Sequence, residues 1–245
     1  ILARLEKNGL TPAPPANKRR WARRAFFDLT GLPPTPAAVD AFVADESAVA
    51  YDKLIDRLLT SPHYGERWGR HWLDLVRYAD TNGYEVDGLK PLVWKYRDYI
   101  IDALNEDKPY NQFVLEQLAG DELPNADTAT VIATGYYRLG AWDAERGASV
   151  QKSEMIAERY NELDDMISTT SQVFLGLTMG CARCHNHKFD PLTTQEYYSM
   201  ASSFNPLTRP RKGRAELAAP AVSPAVLKAN PKGQFTQGYF LRETS

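Results

Sequence analysis

Both cysteines of the chain and one of its four histidines lie within one pentapeptide, Cys181-Ala182-Arg183-Cys184-His185. In the spacing C-x-x-C-H, two thiols one helical turn apart can add to the two vinyl groups of a porphyrin, and the adjacent imidazole can reach the iron. The spacing therefore predicts one covalently attached haem c. Cys181 and Cys184 are the predicted thioether anchors, and His185 is the predicted proximal ligand of the iron.

Two other interpretations of the same residues remain open at this point. The first is a zinc site, with four nitrogen and sulfur ligands from Cys181, Cys184, His185 and His187. It is less favoured because structural zinc sites take their ligand pairs from two separate segments, and the sequence has no second cluster of cysteine and histidine. The second is a redox-active C-x-x-C pair, which lacks the strand-then-helix context of thioredoxin-like sites.

The distal ligand of the iron has one leading candidate, His71. A helical pattern that begins at Pro62 places His71 on an aromatic face predicted to point inward, where a flat porphyrin could pack. A histidine on such a face is equally compatible with an ordinary core position. A vacant sixth position on the iron also remains open, and it would favour small-molecule chemistry over pure electron transfer.

His187 is a second candidate for contact with the cofactor. It follows His185 too closely in the sequence to reach the opposite face of the haem easily. We therefore expect His187 to form a hydrogen bond with a haem propionate or with a neighbouring carboxylate such as Asp190. Further candidates for the sixth position are His63, Met155, Met166, Met179 and Met200.

Length and composition limit the class of protein. The chain has 245 residues, 43% of them hydrophobic, which is sufficient for a sizeable core. Basic and acidic residues nearly balance, at 29 and 31, so the chain has no basic field and we do not expect nucleic acid as a partner. No apolar run approaches the roughly 20 residues that span a bilayer. Because the chain begins at Ile1 within a helical pattern rather than at a methionine, we expect it to be part of a longer polypeptide.

Helical periodicity and capping signals dominate the sequence. Predicted helices cover about Asn17 to Asp28, a segment opening at Thr35-Pro36, Tyr51 to Leu59, a segment opening at Pro62, Pro91 to Asn105, and Tyr110 to Leu118. A long helical pattern from about Ser149 to Met179 ends at Gly180, directly before the two cysteines. After the motif, Thr193 and Glu196 form a capping-box pattern that begins another helix.

Two stretches lack this periodicity. Residues 121–150 contain several glycines and are predicted to be an irregular, loop-rich middle segment, in which Val131 to Tyr137 is compatible with a helical turn or a short strand. Beyond Asn205 the composition shifts, so residues 206–245 are predicted to be a linker or an irregular extension toward a following domain. The predicted fold is therefore mainly α, with a helical domain over residues 1–205 that packs around one haem.

Five blocks of the sequence resemble a known family, the planctomycete cytochrome family whose domain is also called DUF1549 or PSCyt2. The blocks are Phe27–Pro36, Ser61–Trp68, Arg70–Asp74, Glu116–Asp121 and Gly176–Pro191. The resemblance covers nearly all of residues 1–205. It implies an exported domain that carries C-x-x-C-H and often stands between an N-terminal cytochrome c domain and a C-terminal domain of unknown function.

These features together predict a c-type monohaem cytochrome domain that transfers electrons within a larger exported protein. The expected partner is a redox partner protein or an adjacent cytochrome domain. Covalent attachment of haem c takes place outside the cytoplasm, which predicts a periplasmic or otherwise extracytoplasmic location. The alternatives are a haem-dependent oxidoreductase, whose open sixth site oxidises a small molecule or a carbohydrate, and a zinc-binding structural module.

Overall fold

A computed structural model describes residues 1–83, 87–141, 152–208 and 241–242, and helices form most of these ranges. The prediction of a mainly α protein is therefore confirmed. The chain divides into two compact units, Ile1–Trp68 and Gly69–Ser245. The predicted domain end at residue 205 lies directly after the last helix, while most of the predicted linker, residues 209–240, lies outside the described residues.

Ten α-helices are present in the described ranges. They are α1 Leu2–Lys7, α2 Lys18–Thr30, α3 Pro36–Ala44, α4 Ala50–Leu59, α5 Pro62–Leu75, α6 Trp94–Asn105, α7 Tyr110–Ala119, α8 Thr128–Ala133, α9 Lys152–Thr170 and α10 Thr194–Phe204. Tighter 3-10 turns cover Gly120–Glu122, Thr134–Arg138 and Met179–Arg183, and a wider π turn covers Ser171–Leu175. Two short strands, β1 Leu207–Thr208 and β2 Leu241–Arg242, pair in antiparallel register.

Local capping signals set the helix ends in the first unit. The Asn17 side chain accepts a hydrogen bond from a backbone N–H in the first turn of α2, and Gly31, with a φ of 71°, ends that helix. Thr35 caps α3 in the same way, and Pro36 occupies its first position. The predicted beginnings of both helices are confirmed.

The core of the first unit lies among α2, α3 and α4. Phe42, Leu54 and Leu58 are almost fully buried there, beside the small residues Ala22 and Ala25 of α2. Leu54 and Leu58 have the i, i+4 spacing of one face of an amphipathic helix, and this face of α4 packs into the core.

The core of the second unit is built from the chain's own aromatic and aliphatic side chains. Its largest fully buried apolar residues are Tyr96, Ile100, Tyr136, Leu139, Met166, Ile167 and Val76. Each such side chain contributes about 1.5–3 kcal/mol through burial. The indole nitrogen of Trp72 is paired within this core, at 3.2 Å from the Tyr96 hydroxyl and 3.1 Å from Gln117 Oε1.

The middle of the chain differs from its prediction as an irregular loop. The 3-10 turn Thr134–Arg138 is buried in the second unit, whereas α8, which begins with a capping box between Asp127 and Thr130, is partly exposed. The helical alternative for Val131 to Tyr137 is therefore confirmed, and α8, with six residues, is too short to show an amphipathic period in the sequence. Residues 142–150, the remainder of the predicted loop, lie outside the described residues.

The end of the long helix before the cysteines also differs from its prediction. Helix α9 ends at Thr170, the π turn continues to Leu175, and Gly176 then adopts a left-handed conformation with a φ of 66°. Gly180, the predicted end, lies inside the following 3-10 turn. The helix therefore ends at the first glycine that can reverse the backbone, and the motif lies on a separate short turn.

Candidate functional site

The 3-10 turn Met179–Arg183 presents the two cysteines on one side. With three residues per turn, side chains three apart in a 3-10 helix share a face. Met179 and Ala182 form the inner face, where they are 8% and 0% exposed, whereas Cys181 and Cys184 are free cysteines and exposed. Burial of the inner pair therefore directs both thiols outward.

The third face of this turn packs against α9. A Cβ at Gly180 would lie 2.5 Å from the Ser168 hydroxyl oxygen, so a larger residue would require that hydroxyl to move. Arg183 forms an ion pair with Asp164, with Nη1 and Oδ2 3.2 Å apart, and Nη2 donates to Asn161 Oδ1 at 3.2 Å. The turn is therefore tied to α9 along its length.

Helix α10 holds the same turn from another direction. The Tyr197 hydroxyl donates to Asp164 Oδ1 at 2.6 Å, and the Tyr198 hydroxyl donates to the backbone carbonyl of Arg183 at 3.2 Å. Burial and the bond to the Asp164 carboxylate raise the pKa of Tyr197, so the tyrosine remains a neutral donor. Protein side chains alone thus hold the pentapeptide between two helices.

His185 is exposed next to the second cysteine, and its hydrogen bond defines its tautomer. Its Nδ1 lies 2.8 Å from the backbone carbonyl of Asn186, and a carbonyl can only accept. Nδ1 therefore carries the proton and Nε2 carries a lone pair, which is the form that binds a metal ion. Asn186 is itself held, because its Oδ1 accepts from the backbone N–H of Thr194 at 2.9 Å.

The beginning of α10 confirms one sequence prediction. Thr193 and Glu196 form both hydrogen bonds of a capping box. Hydrogen bonds from the backbone and side chain of Thr193 lower the pKa of Glu196, in keeping with a carboxylate that caps a helix. The helix that receives Asn186 therefore has a fixed starting point.

His187 is buried within the loop that follows the pentapeptide, and its side chain is only 8% exposed. Nδ1 accepts from the backbone N–H groups of Asp190, at 2.8 Å, and Phe189, at 3.2 Å. Nε2 lies 3.0 Å from the Thr178 hydroxyl oxygen. The Asp190 carboxylate, the neighbour expected from the sequence, is 3.4 Å from Nδ1. A role for His187 at a haem propionate stays a prediction.

The position predicted for His71 is wrong in one respect, since its side chain is exposed rather than directed inward. The inner face of this part of α5 is formed by Gly69 and Trp72, and it continues at Val76 directly after the helix, with spacings of three and four residues. Gly69 belongs to this face because α6 approaches it closely, at Ile101. The many aromatic residues of this segment suggested a wider apolar face than the one that packs. The role of His71 as an iron ligand stays a prediction, and its side chain lies at the surface.

In the part of the chain that the structure describes, no pre-formed group of metal ligands accompanies the motif. Within residues 1–83, 87–141, 152–208 and 241–242, no three side chains of histidine, cysteine, aspartate or glutamate are grouped to bind a metal ion. As a ligand of the four-ligand zinc site, His187 would have to give up its hydrogen bonding at the ring nitrogen that bound the metal. The structure thus brings Cys181, Cys184 and His185 together on one surface turn, without His71 or His187 in a shared ligand cluster.

Large apolar side chains flank the turn at the surface. Phe189 is 84% exposed, Leu175 60% and Tyr198 46%. Exposed apolar groups of this size commonly mark the site of an interaction. Two outward thiols, an imidazole with a lone pair on Nε2 and apolar flanks are the side chains that a covalently attached porphyrin requires, so the residues present fit a haem c.

Sequence reasoning missed the side chains that support this turn. The Asp164 carboxylate joins Arg183 to Tyr197, and no sequence pattern indicates these contacts. Its neighbour Asp165 pairs with Arg77, whose Nε donates to Oδ1 at 2.8 Å. The sequence feature that could have indicated these supporting side chains is the arginine inside the motif, because a charged residue on a packed turn needs a partner nearby.

Comparison with known proteins gives one match, to a protein family. A family model described as a protein of unknown function (DUF1549), PSCyt2, matches residues 1–209, which include all ten helices and the pentapeptide. No curated protein and no solved structure matches the chain. Among the helices of the described ranges, none combines the length and the apolar character needed to cross a membrane.

Proposed function

The chain belongs to the PSCyt2 family, DUF1549, and we propose that its second unit is a c-type monohaem cytochrome domain that transfers electrons. The family has no described reaction, so the proposal depends on the site itself. The observation that carries it is the outward face of the 3-10 turn, where Cys181 and Cys184 are exposed beside His185.

Each residue of the motif has a defined task in this proposal. The thiols of Cys181 and Cys184 would each add across one vinyl group, with a new carbon–sulfur bond and transfer of the thiol hydrogen to the other vinyl carbon. His185 would offer the Nε2 lone pair to the iron, while its Nδ1–H remains bonded to the Asn186 carbonyl. Bound haem c supplies one-electron transfer through its ferrous and ferric states.

The structure favours a haem attached at the surface over the predicted haem at the centre of the helices. The core of the second unit is formed by protein side chains, and the turn that carries the cysteines is held by Arg183 and Tyr198. A surface haem leaves an edge accessible for electron exchange. That edge suits a redox partner protein or an adjacent cytochrome domain, in a periplasmic or otherwise extracytoplasmic location.

One observation keeps a haem enzyme as the second candidate. Met166 and Met179, two of the possible distal ligands, are 1% and 8% exposed in the core and do not lie on the outward face of the turn. His187 already uses both ring nitrogens. These positions support an iron with an open sixth site, which would allow a haem-dependent oxidoreductase.

The test is haem content after secretion into a host that attaches haem c. We expect one haem per chain, retained on a denaturing gel and identified as haem c by its pyridine haemochrome spectrum. The variant Cys181→Ala/Cys184→Ala serves as the control and should carry none. A wild-type chain that contains stoichiometric zinc and no haem would establish the zinc module instead. Binding of carbon monoxide to the reduced protein would favour the enzyme over pure electron transfer.

A further inference from the structure

His187 forms a side-chain bridge across the loop that contains the pentapeptide. Its Nε2 contacts Thr178, three residues before Cys181, and its Nδ1 contacts the backbone at Asp190, five residues after His185. The backbone N–H of His187 also donates to Leu192 at 2.8 Å. One buried side chain therefore joins the two ends of the loop. We name this arrangement of Thr178, His187 and the Phe189 and Asp190 amides the His187 clasp.

The directions of these hydrogen bonds are fixed by the backbone. Backbone N–H groups only donate, so Nδ1 of His187 must be unprotonated where it meets Phe189 and Asp190. The neutral ring then carries its proton on Nε2 and donates it to the Thr178 hydroxyl. His185 has the opposite tautomer, with the proton on Nδ1. Two histidines separated by one residue are thus specialised differently by their partners.

Two other roles for His187 conflict with this geometry. As a metal ligand it would lose a hydrogen bond at whichever nitrogen bound the metal. As the base of a Thr–His–Asp triad it would need Nε2 to accept the proton of Thr178, but Nε2 is the protonated nitrogen. In addition, Nδ1 already accepts two backbone donors, with Asp190 Oδ2 no closer than 3.4 Å.

We propose that His187 is a positioning residue, which holds the loop so that His185 presents Nε2 to the haem iron in one orientation. The inference rests on the proposed function, because it assigns a role relative to the iron ligand. His185 is held on its carboxyl side by Asn186, which binds the first turn of α10. The His187 clasp closes the loop just beyond Asn186, and the two contacts together restrict rotation of the His185 ring.

Three variants test this role against a matched control. His187→Phe keeps the ring size and removes both contacts, His187→Asn keeps an acceptor near the position of Nδ1, and Thr178→Val removes only the contact at Nε2. The control Thr60→Val makes the same replacement as Thr178→Val at an exposed threonine of the first unit, whose hydroxyl donates to backbone carbonyls of α4. All are produced in the full 245-residue chain with attached haem.

The readouts are the midpoint potential and the electron paramagnetic resonance spectrum of the ferric haem. For His187→Phe we expect about a tenfold change in the reduction equilibrium, about 59 mV for a one-electron couple, with broadened signals. His187→Asn and Thr178→Val should give intermediate changes, and Thr60→Val none. An unchanged potential and spectrum in Thr178→Val and His187→Phe, with haem attached, overturn the proposal, even if stability falls. If His187→Phe does not fold, Thr178→Val decides.

A second measurement separates this inference from the proposed function. Nitrogen-15 NMR of the haem-free chain reports the tautomer of each ring, and we expect Nε2–H for His187. A proton on Nδ1 would remove the clasp whatever the haem content. A wild-type chain that takes up no haem overturns the proposed function and, with it, the role of His187 toward an iron ligand.

Discussion

Two polar clusters of the second unit differ in where their reactive atoms point. The interior cluster surrounds Glu116 of α7, which is 5% exposed. Its Oε2 accepts from the Tyr99 hydroxyl and from Lys108 Nζ, both at 2.7 Å, and its Oε1 accepts from Gln112 at 2.9 Å. In the motif turn, by contrast, the supporting side chains are paired while the thiols and one imidazole face outward.

This contrast separates a structural cluster from a candidate site. Burial acts to raise the pKa of Glu116, but hydrogen bonds from Lys108, Gln112 and Tyr99 outweigh it and lower the pKa. The pKa of Tyr99 is raised by burial and by the bond to Glu116, so both groups are held in one protonation state near neutral pH. A general acid or base needs a pKa near the working pH, and the interior cluster is arranged for the opposite.

The largest effect is expected for Glu116→Ala. Removal of the carboxylate leaves Lys108 and Tyr99 without their partner, and Lys108 is only 18% exposed. We expect a loss of about 3 kcal/mol in the free energy of unfolding, near the lower limit for breaking a buried ion pair. Urea denaturation measures it, with the exposed Glu46→Ala as the control, expected to change by less than about 0.5 kcal/mol. Equal stabilities of the two variants would show that the cluster is not structural.

The next effect concerns the glycine that ends α7. A Cβ at Gly120 would overlap the backbone carbonyl oxygen of Thr130, which lies in α8 and cannot rotate away as a side chain could. Gly120→Ala should therefore cost about 1–3 kcal/mol through overpacking. Gly88→Ala is the control, because its Cβ would meet the nearest atom, Asn82 Nδ2, at an ordinary 3.7 Å. Thermal unfolding followed by circular dichroism compares the two, and similar midpoints would contradict the close packing of α7 on α8.

A smaller effect is expected on the pH dependence of the free energy of unfolding. Glu116 has a pKa below its usual value of 4.5 in the folded chain, so it releases its proton more readily when folded than when unfolded. Its contribution to stability is present above pH 4.5 and is lost as the pH falls through the lowered pKa. Glu116→Gln should therefore have a shallower loss of stability in acid. Chemical denaturation from pH 3 to 7 measures this slope, and parallel curves for wild type and variant would contradict it.

Much of the helical fold could be predicted because its signals are local. Asn17, Thr35 and Thr193 begin helices through their own side chains, and Gly31 ends one through its backbone. Helix α8 gave no such period, because its six residues make fewer than two turns. For an element this short, the hydrophobic pattern alone cannot distinguish a helix from a loop.

The candidate site likewise combines features that the sequence indicates with features that depend on the tertiary fold. The spacing of Cys181, Cys184 and His185 is a local signal, and the turn that presents them is local too. The outward position of His71 depends on which neighbours α5 packs against, and the sequence contains no direct record of that. The pairing of Asp164 with Arg183 joins residues 19 positions apart and likewise needs the tertiary fold.

The smallest effect on stability is expected for the variant that lacks both cysteines, although it should lose all attached haem. Cys181→Ala/Cys184→Ala removes two exposed side chains, while the inner pair Met179 and Ala182 and the Arg183 ion pair remain. The free energy of unfolding of the haem-free chain should change by less than about 0.5 kcal/mol. A haem at the centre of the helices would instead leave this variant without a cooperative thermal transition, because its core would lack a major component. Calorimetry and far-ultraviolet circular dichroism of the variant therefore distinguish a haem attached to a finished fold from a haem that completes the fold.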